Sequence, residues 1–298
     1  MNRTNLFVDN IFEGSFFMKS LCIKTNNSEI IHYLLEKFAD YQMEQVYFSE
    51  NHFRIYQNVI IHYTGKQEDE FTYRLSEYLT ECILTFYEDE LLSHILRYNY
   101  FYFDQDEQKS ILAIIHTLLL EQETYLARDA FVWPEVLKYI LEHKTIVLHG
   151  FVNFRLPSYL QLLDQIVDEA VSKYIIEKEY SEFIHLLKMY IDTQPPTIPF
   201  LHLIYVNGES ILLDENHKPI SLTNNAVKAK YLSDITFSAN DYALNTILNL
   251  LPSRLEVHLI DPEDEFIHTL KSIFDDRIHL CRDCSICTTY KRFQHVTI

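Results

Sequence analysis

The chain has 298 residues, a net charge of −18 at pH 7 and a hydrophobic content of 48%. This length suits one large domain or two to three small ones, and the hydrophobic content is ample for buried cores. The sequence holds only 4 glycines, none close to another, which excludes a glycine-rich phosphate loop and a Gly-x-Ser-x-Gly nucleophile motif.

The negative charge is concentrated in the middle of the chain, where residues 66–194 carry 23 acidic and 11 basic side chains. An acidic surface repels nucleic-acid phosphates, so we expect no nucleic-acid partner. Two interpretations stay open for this region: a solvated helical surface, or a docking face for a basic partner. The uncharged apolar run at residues 110–120 is about half the length needed to cross a bilayer, so we expect no membrane insertion.

Residues 1–65 are predicted to form a small α/β unit. Its first residues do not resemble a signal peptide, because Asp9 and Glu13 interrupt the apolar residues. Its expected elements are a strand, a helix and two strands joined by a turn at Glu50–Asn51, over 20–24, 28–40, 45–48 and 53–63.

Residues 66–194 have helical periodicity almost throughout. It predicts a helix over 68–96, a second that begins at Asp104 or Asp106 and runs through Leu126, and a third, shorter helix over 134–142. The segment 145–154 fits either a strand or a buried helical piece, because periodicity does not distinguish them over so short a run.

The longest helix is predicted to follow Pro157 and to end near Asp192, before Pro195 and Pro196. Its apolar side chains recur at helical spacing and predict one wide buried face. We expect that face to include Leu163, Val167, Val171, Phe183 and Leu187.

Residues 195–298 are predicted to form a second α/β unit. Asn207–Gly208 lies between two apolar runs, which is typical of a β-hairpin because both residues accept positive φ. Helices at 241–251 and 263–274 should alternate with strands at 255–260 and 277–281. The three parts together predict an α+β protein: a small N-terminal α/β unit, a central helical region and a small C-terminal α/β unit.

The last part of the chain carries a Cys-x2-Cys-x2-Cys motif formed by Cys281, Cys284 and Cys287. Such spacing brings thiolates to one metal, so zinc or an iron–sulfur cluster is the candidate cofactor. The fourth ligand is open: His279, His295, a partner subunit or an exogenous group. Strand alternation favours His279 because it lies on the side of Cys281. Thiol-redox chemistry and inert cysteines are the alternatives.

Four segments together resemble the YtxC-like family of endospore-forming bacteria. They are FVNFRL at 151–156, EKEYSEFIHLLKMYI at 177–191, the hairpin sequence at 201–220 and DRIHLCRDCSIC at 276–287. The resemblance covers about residues 75–290 and implies a sporulation-associated protein without an assigned activity. It implies no catalytic residue, cofactor or substrate.

The leading functional hypothesis is a non-enzymatic structural or interaction protein, with an unknown protein partner or a homo-oligomer. It rests on the absence of phosphate-loop, nucleophile and paired catalytic motifs, and no catalytic residue is proposed. The alternative is a metal-binding or thiol-redox protein that uses the three cysteines. A third hypothesis is a hydrolase with a dispersed acid–base site. Five cysteines without an export signal predict a reduced, cytoplasmic protein.

Overall fold

A computed structural model describes residues 18–40, 45–53, 56–206, 208–220, 238–259 and 264–294. Its helices and strands form an α+β protein with a small sheet near each end of the sequence, which confirms the predicted fold class. The chain divides into two compact units, Met1–Ile175 (the first unit) and Ile176–Ile298 (the second unit). The division at 65/66 and 194/195 remains a prediction drawn from periodicity and composition.

The first unit contains a four-stranded sheet in the order β2-β3-β1-β4. Strand β1 pairs antiparallel with β3 and parallel with β4. Helix α1 (Ser28–Asp40) buries Ile30, Leu34 and Phe38 in the core beside this sheet. The strands are β1 (Lys19–Thr25), β2 (Val46–His52), β3 (Gln57–Tyr63) and β4 (Thr145–Val147).

The turn predicted at Glu50–Asn51 is wrong, because both residues belong to β2. The antiparallel pairing of β2 with β3 continues to His52 and Gln57, so the chain reverses only beyond this pair. Polar residues such as Glu50 and Asn51 occur in exposed strands as well as in turns. Here their pairing with β3 places them in a strand.

Five helices follow in the described first unit before the long helix. They are α2 (Glu68–Phe86), α3 (Glu88–Asn99), α4 (Gln105–Leu119), α5 (Gln122–Glu142) and α6 (Leu148–Arg155). Asp104 caps α4: its carboxylate accepts hydrogen bonds from the backbone of Asp106 and Glu107, and the Glu107 carboxylate accepts one from the Asp104 backbone. The ambiguous segment 145–154 contains both a strand, β4, and a helix, α6.

Three predicted helices of this region are wrong in extent. The helix expected to run through Leu126 ends at Leu119, and a new helix begins at Gln122. The single helix over 68–96 is divided at Tyr87, whose backbone (φ −114°, ψ −25°) departs from helical geometry. The predicted short helix over 134–142 is the second half of α5, so Pro134 lies inside a helix rather than in its first turn. Val132 and Val136, on either side of the proline, are both fully buried and pack in the core of the first unit.

Helix α7 (Pro157–Thr193) is continuous over 37 residues and passes from the first unit into the second. Its first half buries Leu163, Val167 and Val171 in the core of the first unit, as predicted. The prediction for Phe183 is wrong, since its side chain is 50% exposed, and Leu187 is only partly buried. A single buried face was predicted because periodicity cannot tell that each half packs in the core of its own unit.

A buried polar cluster connects four helices of the first unit. The Arg128 guanidinium on α5 donates to the Glu88 carboxylate on α3 and to the carbonyl of Leu119 on α4 (3.1 Å). The Tyr159 hydroxyl on α7 donates to the other oxygen of Glu88 (2.7 Å). Glu88 is only 6% exposed, so it belongs neither to a solvated acidic face nor to an accessible docking face.

The second unit contains a four-stranded sheet in the order β6-β5-β7-β8. The predicted hairpin is formed by β5 (Ile198–Val206) and β6 (Glu209–Leu213), with Gly208 at φ +79°, while Asn207 lies outside the described residues. Strand β7 (Pro252–Leu259) pairs parallel with β5, and β8 (Ile278–Cys281) pairs parallel with β7. The described part of this unit adds three helices: α8 (Ala239–Leu250), α9 (Glu265–Phe274) and α10 (Ser285–Gln294).

The two faces of this sheet differ in character. One face contributes alternate residues, among them Leu203 and Val257, to a core with Ile247 of α8 and Leu270 of α9. Because side chains alternate along a strand, His258 next to Val257 points to the opposite face. That second face is the one that the N-terminus of α10 approaches, and the polar cluster described next lies there.

Candidate metal centre

Parallel pairing places His258 beside the first cysteine of the motif. Strand β7 aligns with β8 so that His258 is opposite Cys281, the last residue of β8. The two residues therefore lie on the same face of the sheet. His258 is 3% exposed, because α10 contacts β7 at this end of the sheet.

The other two cysteines belong to the start of α10. Cys284 directly precedes the helix, and its carbonyl accepts the backbone N–H of Thr288 (3.0 Å). Its sulfur accepts the backbone N–H of Cys287 (3.5 Å), as an N-cap side chain does. Cys287, one turn further, points toward the sheet and is 3% exposed.

Four ligand atoms converge at this point: the sulfurs of Cys281, Cys284 and Cys287 and Nδ1 of His258, all within 4.8 Å of one another. The Cys287 sulfur lies 3.7 Å from that of Cys284 and 3.8 Å from that of Cys281. Nδ1 of His258 lies 3.3 Å from the Cys284 sulfur and 3.5 Å from the Cys287 sulfur.

These distances match the edges of a tetrahedron around one small ion. Zinc bonds of about 2.3 Å to sulfur and about 2.0–2.1 Å to nitrogen separate two sulfurs by about 3.8 Å, and a sulfur from a nitrogen by about 3.6 Å. Four ligand atoms define six such edges, and the four contacts given above lie within about 0.3 Å of these values.

The thiols ionise unequally. Burial raises the pKa of Cys287 to about 12. Burial also opposes ionisation of Cys284, but the backbone N–H of Cys287 and other hydrogen bonds to the sulfur outweigh it, so the pKa of Cys284 is lowered. Because the thiolate is the metal ligand, a bound cation must displace the proton of Cys287 in particular.

The surroundings of His258 favour its neutral form. Burial lowers the pKa of His258, and the neighbouring His202 lowers it further. Neutral imidazole is the form that binds metals. The second ring nitrogen of His258, Nε2, lies 2.9 Å from Nδ1 of His202.

The structure brings together Cys281, Cys284 and Cys287, whereas His279 is not part of the group. His279 is exposed and pairs with Glu256. It lies on the same face as Cys281 but two residues before it along β8. His295 lies outside the described residues. The fourth ligand atom belongs to His258, which sequence reasoning missed because only the register of β7 and β8 shows that it neighbours Cys281. Its one sequence signal is a histidine within an alternating apolar strand.

Elsewhere, a cleft of about 460 Å³ lies in the first unit. Its lining includes Glu90, His94 and His149, all three exposed. Exposed side chains of this kind give no support to the hydrolase hypothesis, which requires desolvated acid–base groups. Within the described ranges, the Cys3His group is the only set of three or more His, Cys, Asp or Glu side chains close enough to share a metal ion.

Fold and site thus define an α+β protein with a compact Cys3His group on the second face of its C-terminal sheet. A family model for the YtxC-like family matches residues 73–279, more than half of the sequence. The chain belongs to the YtxC-like family. It is 25% identical over 213 residues to the uncharacterised protein YtxC of Bacillus subtilis (strain 168). The aligned region covers 69% of this chain and 74% of that protein.

No solved structure matches the chain. Among the residues that the structure describes, none of the helices has both the length and the hydrophobicity to cross a membrane.

Proposed function

We propose that the second unit binds a single zinc ion through Cys281, Cys284, Cys287 and Nδ1 of His258, and that this ion has a structural role. The observation that supports the proposal is the convergence of three sulfurs and one nitrogen at tetrahedral distances. Three thiolates and one imidazole form a soft ligand set that suits zinc.

A mononuclear ion fits this group better than an iron–sulfur cluster. In a cluster, several irons and sulfides lie between the cysteines, which spreads the protein sulfurs apart. Here two sulfur pairs are separated by 3.7 and 3.8 Å, so the ligands surround the volume of one ion.

The number of protein ligands supports a structural rather than a catalytic role. Catalytic zinc usually keeps one position open for water or substrate, whereas structural zinc has four protein ligands. The four ligands here come from the ends of β7 and β8 and from the start of α10. A bound ion would hold this short helix against the sheet, which agrees with a non-enzymatic protein.

Metal analysis of purified protein tests the proposal. We expect about one zinc per chain after purification without added metal or chelator, and none in Cys284→Ser with Cys287→Ser. Cys22→Ser, which removes a cysteine of β1 in the first unit, is the matched control and should keep the zinc. Protein that holds iron and sulfide instead, or wild-type protein with no metal after reconstitution under reducing conditions, would refute the proposal.

We also propose that the protein acts in the cytoplasm of spore-forming cells as a structural or interaction protein, without binding nucleic acid. The family resemblance supports the link to sporulation, and the net charge of −18 supports the absence of a nucleic-acid partner. Counting heat-resistant spores after deletion of the gene, with complementation by wild type or by the double cysteine variant, tests this role. Equal counts in all strains would contradict it.

A further inference from the structure

We propose that His202 is a positioning residue for the metal centre: it accepts the Nε2–H of His258 and thereby presents Nδ1 of His258 to the ion. The inference rests on the proposed zinc site and assigns a specific task to a side chain outside the ligand set. Metal-bound histidines commonly donate their other ring N–H to an acceptor that fixes ring orientation and tautomer.

The register of the sheet places the two histidines together. His202 of β5 pairs with Glu256 of β7, so His258, two residues further along β7, is its diagonal neighbour on the same face. The rings are nearly parallel (29°) with centroids 5.1 Å apart, and His202 Nδ1 lies 2.9 Å from His258 Nε2.

The position of the ring proton on His258 determines whether Nδ1 is free to bind a metal ion. A neutral imidazole carries one ring N–H. If Nδ1 of His258 binds the ion, its proton must reside on Nε2, which donates to Nδ1 of His202, and His202 then carries its own proton on Nε2. The reverse arrangement would direct the Nδ1–H of His258 at the sulfurs of Cys284 and Cys287 and prevent ligation.

Packing holds the acceptor in place. The His202 ring lies against Phe200 (centroids 4.7 Å apart) and His217 (4.8 Å), and His202 itself is only 7% exposed. Because His258 is also buried, water has little access to replace an acceptor removed by mutation. Loss of the acceptor should therefore lower the metal affinity of the site.

Three variants separate a positioning role from a packing role. His202→Leu removes the acceptor, whereas His202→Asn keeps a side-chain oxygen near the position of Nδ1. His217→Leu removes a ring that packs on His202 but has no described contact with the ligand atoms. Zinc affinity of the full-length chain is measured by competition with a chromophoric chelator, and Co(II) absorption spectra report the ligand set.

We expect His202→Leu to bind zinc about 10–100-fold more weakly than wild type. Its Co(II) ligand-field bands should shift as the nitrogen ligand is lost, while thiolate charge-transfer bands remain. His202→Asn should recover most of the affinity, and His217→Leu should stay close to wild type.

The outcomes distinguish the two proposals. Wild-type affinity and spectra in His202→Leu, with zinc still lost in the double cysteine variant, would overturn the role of His202 and leave the zinc site intact. Equal losses in His202→Leu, His202→Asn and His217→Leu, with equal losses of thermal stability in the metal-free proteins, would show a packing role only. A wild-type chain that takes up neither Zn(II) nor Co(II) would overturn both proposals.

Discussion

Arg128→Met should strongly destabilise the first unit, because it removes the cation from beside the buried carboxylate of Glu88. In the wild-type structure that carboxylate accepts from Arg128 and from the Tyr159 hydroxyl, and Glu88 and Arg128 are 6% and 8% exposed. Met has a comparable length and no charge, so the change tests the ion pair more than the packing.

The expected loss follows from the burial of both partners. Breaking a buried ion pair by removing one side costs about 3–5 kcal/mol. Tyr159→Phe removes only one hydrogen bond to a charged acceptor and should cost about 1.5–3 kcal/mol. Replacing both charges, as Glu88→Leu with Arg128→Met, should cost less than Arg128→Met alone, because no isolated charge stays buried.

Acidity should reduce the defect of Arg128→Met. Burial raises the pKa of Glu88, although Tyr159 and Arg128 act in the opposite direction. A carboxyl group whose pKa is higher in the folded chain favours folding below its unfolded pKa, and this contribution is lost as pH rises through the folded pKa. Without the cation the folded pKa rises further, so the difference from wild type should be larger at pH 7 than at pH 5.

Urea denaturation followed by tryptophan fluorescence is a suitable assay, because the only tryptophan in the sequence, Trp133, lies in α5 of the first unit. Its ring stacks on Tyr73 (centroids 5.9 Å apart), so the signal reports packing of that unit. A free energy of unfolding for Arg128→Met within about 1 kcal/mol of wild type would refute the reasoning, since a surface ion pair is worth that much.

The remaining predictions concern α7, the acidic residues and the metal. Val167→Asp should cost several kcal/mol, whereas Phe183→Asp, at a half-exposed position of the same helix, should change the midpoint of thermal unfolding little. Neutralising Asp89 and Glu90, which are exposed, should leave the free energy of unfolding within about 0.5 kcal/mol of wild type, and a larger loss would contradict their solvated placement. A chelator should lower the melting temperature of wild-type protein but not that of Cys287→Ser, and equal effects on both would count against a structural ion.

Local pattern was sufficient for much of the fold. The helical period identified α7 over nearly its full length, and Asn207–Gly208 between apolar runs identified the β5–β6 hairpin. Both signals depend on residues close in sequence. The break at Tyr87 was not predictable from them, because apolar residues continue at helical spacing through it.

The site was predictable only in part, for the same reason. Three cysteines at regular spacing are visible as a motif, but His258 becomes their neighbour through the parallel pairing of β7 with β8. Glu88 is a similar case. It precedes exposed Asp89 and Glu90 in the sequence, and only its contacts with the distant Arg128 and Tyr159 show that its carboxylate is buried. Long-range pairing is the information that one sequence lacks.

The topology of the second sheet has a consequence for the order in which this unit folds. Strands β7 and β8 are joined by α9 within a short stretch of chain, whereas β5 must find β7 across the much longer segment that contains β6 and α8. The entropy lost on closing a loop rises with its length, and non-local parallel pairing is slow. The β7–α9–β8 segment should therefore form before β5 docks. All four atoms of the proposed zinc site belong to β7, β8 and the start of α10, so assembly of the site does not require β5.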